Sequence, residues 1–66
     1  MANKIPNKAK VLKITSLVNS NMAKAGSVYI ANKNDDGWKA EYNGKTWSLF
    51  TQHLRNENFC HIEAMR

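Results

Sequence analysis

Only one cysteine, one proline and three glycines occur in these 66 residues, and no acid precedes position 35. Each shortage excludes something. A lone thiol, Cys60, closes no intramolecular disulfide, so a reducing, intracellular setting is expected. The longest unbroken apolar run, Val28-Tyr29-Ile30-Ala31, is far short of the roughly 20 residues that cross a bilayer. "MANKIPNKAK" has no apolar stretch behind its charge. A soluble, cytoplasmic protein with no membrane role is the expectation. Two histidines and one cysteine do not make a convincing metal centre, and Cys60 and His61, adjacent in an expected strand, point to opposite faces. There is no glycine-rich phosphate loop. A nucleophile needs a base within reach; Cys60 with His53 is the only conceivable pair, and Cys60 reads more simply as a small core residue. The expectation is a protein that is not an enzyme and carries no cofactor or metal.

What is present is charge of one sign in one half. Residues 1–34 hold six lysines and no acid; residues 35–66 hold four cations against five acids, within a formal net charge of +5. Such asymmetry fits an arm that binds a polyanion; abundant lysine and asparagine also fit an A/T-rich coding bias. A chain this short buries only about 60% of its unfolded surface, so it forms one thin-cored domain. Residues 1–8 read as a loose basic tail and 9–66 as the domain.

The strongest local signal is "DGWKAEYNGKTWSLF". Asn43-Gly44 is the preferred two-residue type I′ turn, since both positions need positive φ. Counting outward pairs Tyr42 with Lys45, Glu41 with Thr46, Ala40 with Trp47, Lys39 with Ser48 and Trp38 with Leu49. Strand side chains alternate, so Trp38, Ala40, Tyr42, Trp47 and Leu49 share an apolar side. The other side is polar, and a slip by one residue would destroy that separation. Both tryptophans therefore belong to the core. Upstream, Ser27–Asn32 reads as a strand and Lys33–Gly37 as a polar turn. Downstream, "TQHLRNEN" suits a short helical turn anchored by Leu54, near residues 52–57. In "NFCHIEAMR", Cys60, Ile62 and Ala64 alternate with Phe59, His61 and Glu63 in a last strand. Residues 8–25 carry two patterns. One is a helix from an Asn7 cap to Gly26, with Val11, Ile14, Val18, Met22 and Ala25 on one stripe. The other is a β-branched strand in "KVLKITSL" followed by a long loop.

The order of these elements resembles the SH3-like small barrels. "AKAGSVYIA" resembles the end of their first long loop and second strand, "NKNDD" the loop after it, and "GWKA" the start of the third strand. "HLRNE" resembles their single helical turn and "FCHIE" their closing strand, so residues 9–64 are covered. The resemblance implies an all-β, five-stranded SH3-like barrel and favours a strand at residues 10–18. The alternative is α+β, with helix 8–25 packed on a three-stranded antiparallel meander. The peptide-binding pattern of signalling SH3 domains does not carry over. "VLKITSL" lacks tyrosine, and "TQHLRNE" lacks proline and tyrosine. Trp38 matches the inward tryptophan of their pair, and Gly37 stands where the ligand-contacting one would be.

Two functions remain, both non-catalytic. The first is nucleic-acid association, with Lys10, Lys13, Lys24, Lys33, Lys39 and Lys45 on phosphates and Tyr29 and Phe50 stacking on bases. Tyr42 beside Lys45 is a further candidate contact. Tyr29, Phe50 and Phe59 lie on the alternate side of their strands, and become the contact aromatics if those faces are open to solvent. The second is a protein-binding regulator, for instance a virus-encoded inhibitor of a host protein, docking through a strand edge and surface aromatics while its lysines steer association.

Overall fold

A computed structural model describes residues 2–65; Met1 and Arg66, the outer ends of the expected tail and domain, lie outside the described residues. The chain is mainly β. The elements are β1 (Val11–Ser16), β2 (Val28–Asn34), β3 (Gly37–Tyr42), β4 (Lys45–Leu49), α1 (Thr51–Arg55) and β5 (Cys60–Ala64). They form one antiparallel sheet in the order β4-β3-β2-β1-β5. β4 and β5 are its two edges and do not pair with each other.

Residues 11–16 are a strand, and the helical alternative for 8–25 is not adopted. The reason is tertiary. As a strand, "VLKITS" pairs with β2 on one side and β5 on the other, and Leu12, Ile14 and Ser16 turn inward. The stretch after it is a loop closed by its own side chains. Asn19 Oδ1 accepts from the Ala25 N–H at 2.9 Å, and Ser20 Oγ accepts from Ala23 N–H at 3.2 Å. Asparagine and serine compete for backbone in this way, which is why they suit loops better than helix interiors. Gly26, at φ 90, returns the chain to β2.

The Asn43-Gly44 turn has φ of 52 and 76, and all five cross-strand pairs counted from it are those observed. The β2–β3 connection is tighter than its polar sequence suggests. β2 continues to Asn34 and only Asp35 and Asp36 lie between the strands, with Asn34 paired to Gly37. Asn34 Oδ1 accepts from the Asp36 N–H at 2.9 Å, and Gly37 takes the positive φ, 116. This register sets the parity of β2. Ala31 pairs with Ala40, so Tyr29 and Ala31 face the core and Val28 and Ile30 face outward, 48% and 39% exposed.

The core consists of Leu12, Ile14, Ala31, Trp38, Ala40, Leu54 and Cys60, with Ala9, Ala23 and Tyr29 at its margins. α1 has no side-chain cap. It is held by packing instead: Leu54 is buried and the helix leans on β5. The segment before β1 is tied down, contrary to a loose tail. The Asn3 side-chain amide donates to the Leu54 and Cys60 carbonyls at 3.0 and 2.7 Å, and its backbone N–H donates to Arg55 O at 2.7 Å. Ile5 packs against the core beside it. Replacing Asn3 by Ala leaves carbonyls at the α1–β5 junction without donors and is expected to cost about 1–3 kcal/mol. Asn7→Ala, at an exposed position, should stay within about 0.5 kcal/mol. Urea denaturation of the two variants checks the difference.

Candidate binding surface

Because β4 and β5 do not meet, a seam runs between the two edges of the sheet. α1 crosses it while leaning on β5, and the β1–β2 loop folds over its upper end. What is left open is a groove of about 340 Å³. Its walls include Met22 of the loop, Trp47 and Leu49 of β4, and Phe50, His53 and Phe59. Phe50 and His53 stand three residues apart at the start of a helical turn, which places them side by side. Their ring centroids are 5.5 Å apart, edge to face, and His53 lies 5.0 Å from Phe59 on its other side. Phe50 is 62% exposed. Three rings in succession at the mouth of an apolar groove exceed what scattered surface hydrophobics account for.

Trp47 is half-buried, and its Nε1–H donates to Tyr42 O at 3.1 Å. Lys45 Nζ sits 5.9 Å from the centre of the Trp47 ring, within cation–π range. A second hollow adjoins the groove. It shares Ser20, Asn21 and Met22 with it and adds Lys24, Tyr42 and Asn43. No aspartate or glutamate lines either space.

The sequence-derived candidates are distributed as follows. Phe50 is at the groove mouth. Tyr29 is only 8% exposed, and its ring packs 5.7 Å from that of Tyr42. It is a core residue whose edge reaches the groove floor, so it does not stack on bases at the surface; the β2 register turned it inward. Tyr42 is half-buried on the same side. Lys45 and Lys24 flank the upper end of the groove. Lys10 and Lys33 meet at the opposite end of the sheet, where the Lys33 N–H donates to Lys10 O at 2.9 Å. With Lys8 they border a hollow of about 250 Å³ that Asp35 also lines. Lys13 and Lys39 lie on the outer face, opposite Ile30 and Asn32 respectively. The six lysines thus occupy three separate places. The sequence pattern assigns Trp47 to the core, His53 only to a pairing with Cys60 and Met22 only to a helical stripe, so none of the three stands among the expected contact residues. The aromatic spacing Trp47, Phe50, His53 across a strand–helix junction was the available signal.

Cys60 is buried, and its thiol donates to His53 O at 3.5 Å. Burial raises its pKa; burial also raises that of Tyr29, with a smaller contribution from the nearby Cys60. Nothing in this arrangement activates the sulfur. Among the described residues no group of three or more His, Cys, Asp or Glu side chains is placed to hold a metal ion. Among the described residues no helix is long and apolar enough to cross a membrane. No family model matches the chain, and neither a curated protein nor a solved structure does.

The folded chain keeps the Cys60 proton to higher pH than the unfolded chain does. That contribution to stability is therefore complete below the ordinary thiol value of 9.0 and is lost as pH rises through the raised one. Urea midpoints measured from pH 7 to 11 should fall along this limb, and Cys60→Ala should remove its first part, leaving the Tyr29 part at higher pH. Thiol reagents should modify native Cys60 on the order of 100-fold or more slowly than the denatured chain.

Proposed function

We propose that this chain is a small, non-catalytic protein-binding module built on SH3-like topology, with its ligand seated in the aromatic groove. The strand order and the position of α1 between β4 and β5 support the topology. One observation carries the function: Phe50, His53 and Phe59 form a ring cluster at the mouth of an apolar groove bordered by half-buried Trp47. Exposed aromatics around a groove are the usual anchors of protein recognition, where a few residues supply most of the affinity. The lysines act at longer range, steering an acidic partner towards a positively charged surface.

A second reading, nucleic-acid association, draws on the meeting of Lys8, Lys10 and Lys33 at the far end of the sheet. It is the weaker one, because the remaining candidate lysines lie on other faces and a phosphate backbone needs a continuous track.

The test is retention of protein from a nuclease-treated extract of the source cell on the immobilised chain and on its Phe50→Asp variant. The specific protein should be lost at least about 30-fold with the variant, the scale of a hot-spot anchor, while circular dichroism and the urea midpoint stay unchanged. In parallel, anisotropy of labelled mixed-sequence DNA and RNA at low salt should show little binding. Salt-sensitive oligonucleotide binding that disappears on charge reversal at Lys10 and Lys13 would instead establish the nucleic-acid reading.

A further inference from the structure

The groove lies beside an unused hydrogen-bonding edge. In a two-residue hairpin the residues next to the turn, here Tyr42 and Lys45, exchange backbone hydrogen bonds, and bonded pairs then alternate along the ladder. Trp47 and Leu49 therefore direct their N–H and C=O groups at β3, while Thr46 and Ser48 direct theirs away from it. β4 ends the sheet, so among the described residues no strand receives the groups of Thr46 and Ser48. Ser48 also lines the groove, which makes edge and groove one surface. Its charge has one sign. Lys45, over the Trp47 ring, and Lys24, in the adjoining hollow, flank the upper end. The acids are elsewhere: Asp35 and Asp36 in the β2–β3 turn, Glu41 and Glu63 on the outer face, and Glu57 in the α1–β5 connection.

Resting on the reading of the groove as a protein site, we propose that it receives an extended segment of a partner protein, added as a sixth strand along β4. The segment places an apolar anchor residue in the groove and an acidic residue two positions from it. Its backbone pairs with Thr46 and Ser48. Alternate side chains of a strand face the same way about 6.7 Å apart, so the residue two from the anchor arrives at the Lys24–Lys45 end, where the charge selects Asp or Glu. A second copy of this chain fits less well. Of its own two edges, β4 carries no acid and β5 carries one, Glu63, which pairs with Lys13 on the outer face, away from the groove side.

The experiment titrates the ¹⁵N-labelled full chain with synthetic octapeptides of Thr/Val background. They carry Phe-x-Asp or Asp-x-Phe, with Phe-x-Lys, Ala-x-Asp and a backbone N-methylated Phe-x-Asp as controls. One of the two acidic anchored peptides is expected to bind and to protect the Thr46 and Ser48 amides from hydrogen exchange. N-methylation, loss of Phe, or Asp→Lys in the peptide should each weaken binding at least about 10-fold, and Lys45→Glu in the protein should shift preference to Phe-x-Lys. If methylated and unmethylated peptides bind equally, with the two amides unprotected, strand addition is wrong while the groove stands as a side-chain site. If no peptide moves a groove resonance at millimolar concentration, both ideas fail. A mixed-sequence single-stranded oligonucleotide that moves the same resonances at low salt and displaces the peptides overturns both in favour of nucleic acid.

Discussion

Everything in this small sheet depends on one cross-strand row, Leu12–Ala31–Ala40–Trp47, in which adjacent residues are register partners. The two middle members are alanines, and both are buried. Small side chains at the centre of the inner face leave room for larger ones arriving from the margins, as the alternating sizes inside small β structures require. A bulky residue at either alanine would hold the sheet away from Leu54 and α1. The neighbouring row, Ile62–Ile14–Tyr29, carries the volume that the alanines do not.

The groove is the other side of this arrangement. A sheet that curls without joining its edges leaves a gap, and the chain fills that gap with the few large residues available after β4 and in the first loop. Trp47 serves in both roles. It completes the alanine row from the edge, and its exposed part borders the groove. The same geometry leaves the outer face as a plain solvated surface. Lys13, Lys39, Glu41 and Glu63 surround Val28 and Ile30 there, so the apolar groups on that side stay interrupted by charge.

Legibility followed the sharpness of the turns. Asn43-Gly44 admits one kind of hairpin, and from it the inward and outward residues of β3 and β4 can be counted. Asp35-Asp36 is an equally short connection, yet neither residue announces positive φ; that falls on Gly37, inside the next strand. Reading Lys33–Gly37 as a polar turn therefore lost the parity of β2, and with it the burial of Tyr29. Residues 8–25 fit a helical stripe and a strand equally well in isolation, because the deciding bonds are to partners far along the chain. The groove was the least legible part. It unites Met22 with Phe50 and Phe59 across the seam, and local pattern carries no record of that proximity.

The bonds that complete the sheet join distant parts of the chain. The side chain of Asn3 reaches across 51 and 57 positions to Leu54 and Cys60, and β1 obtains its second neighbour only when β5 is in place. Contacts of such range form late and slowly, because long loops must close first. Until then Val11–Ser16, rich in β-branched residues, is a bare edge open to pairing with another nascent chain. Lys10 and Lys13 bracket the Val11-Leu12 pair at that edge, and like charges flanking an apolar strand disfavour its pairing with a second copy. Part of the lysine in this half of the chain thus bears on folding itself.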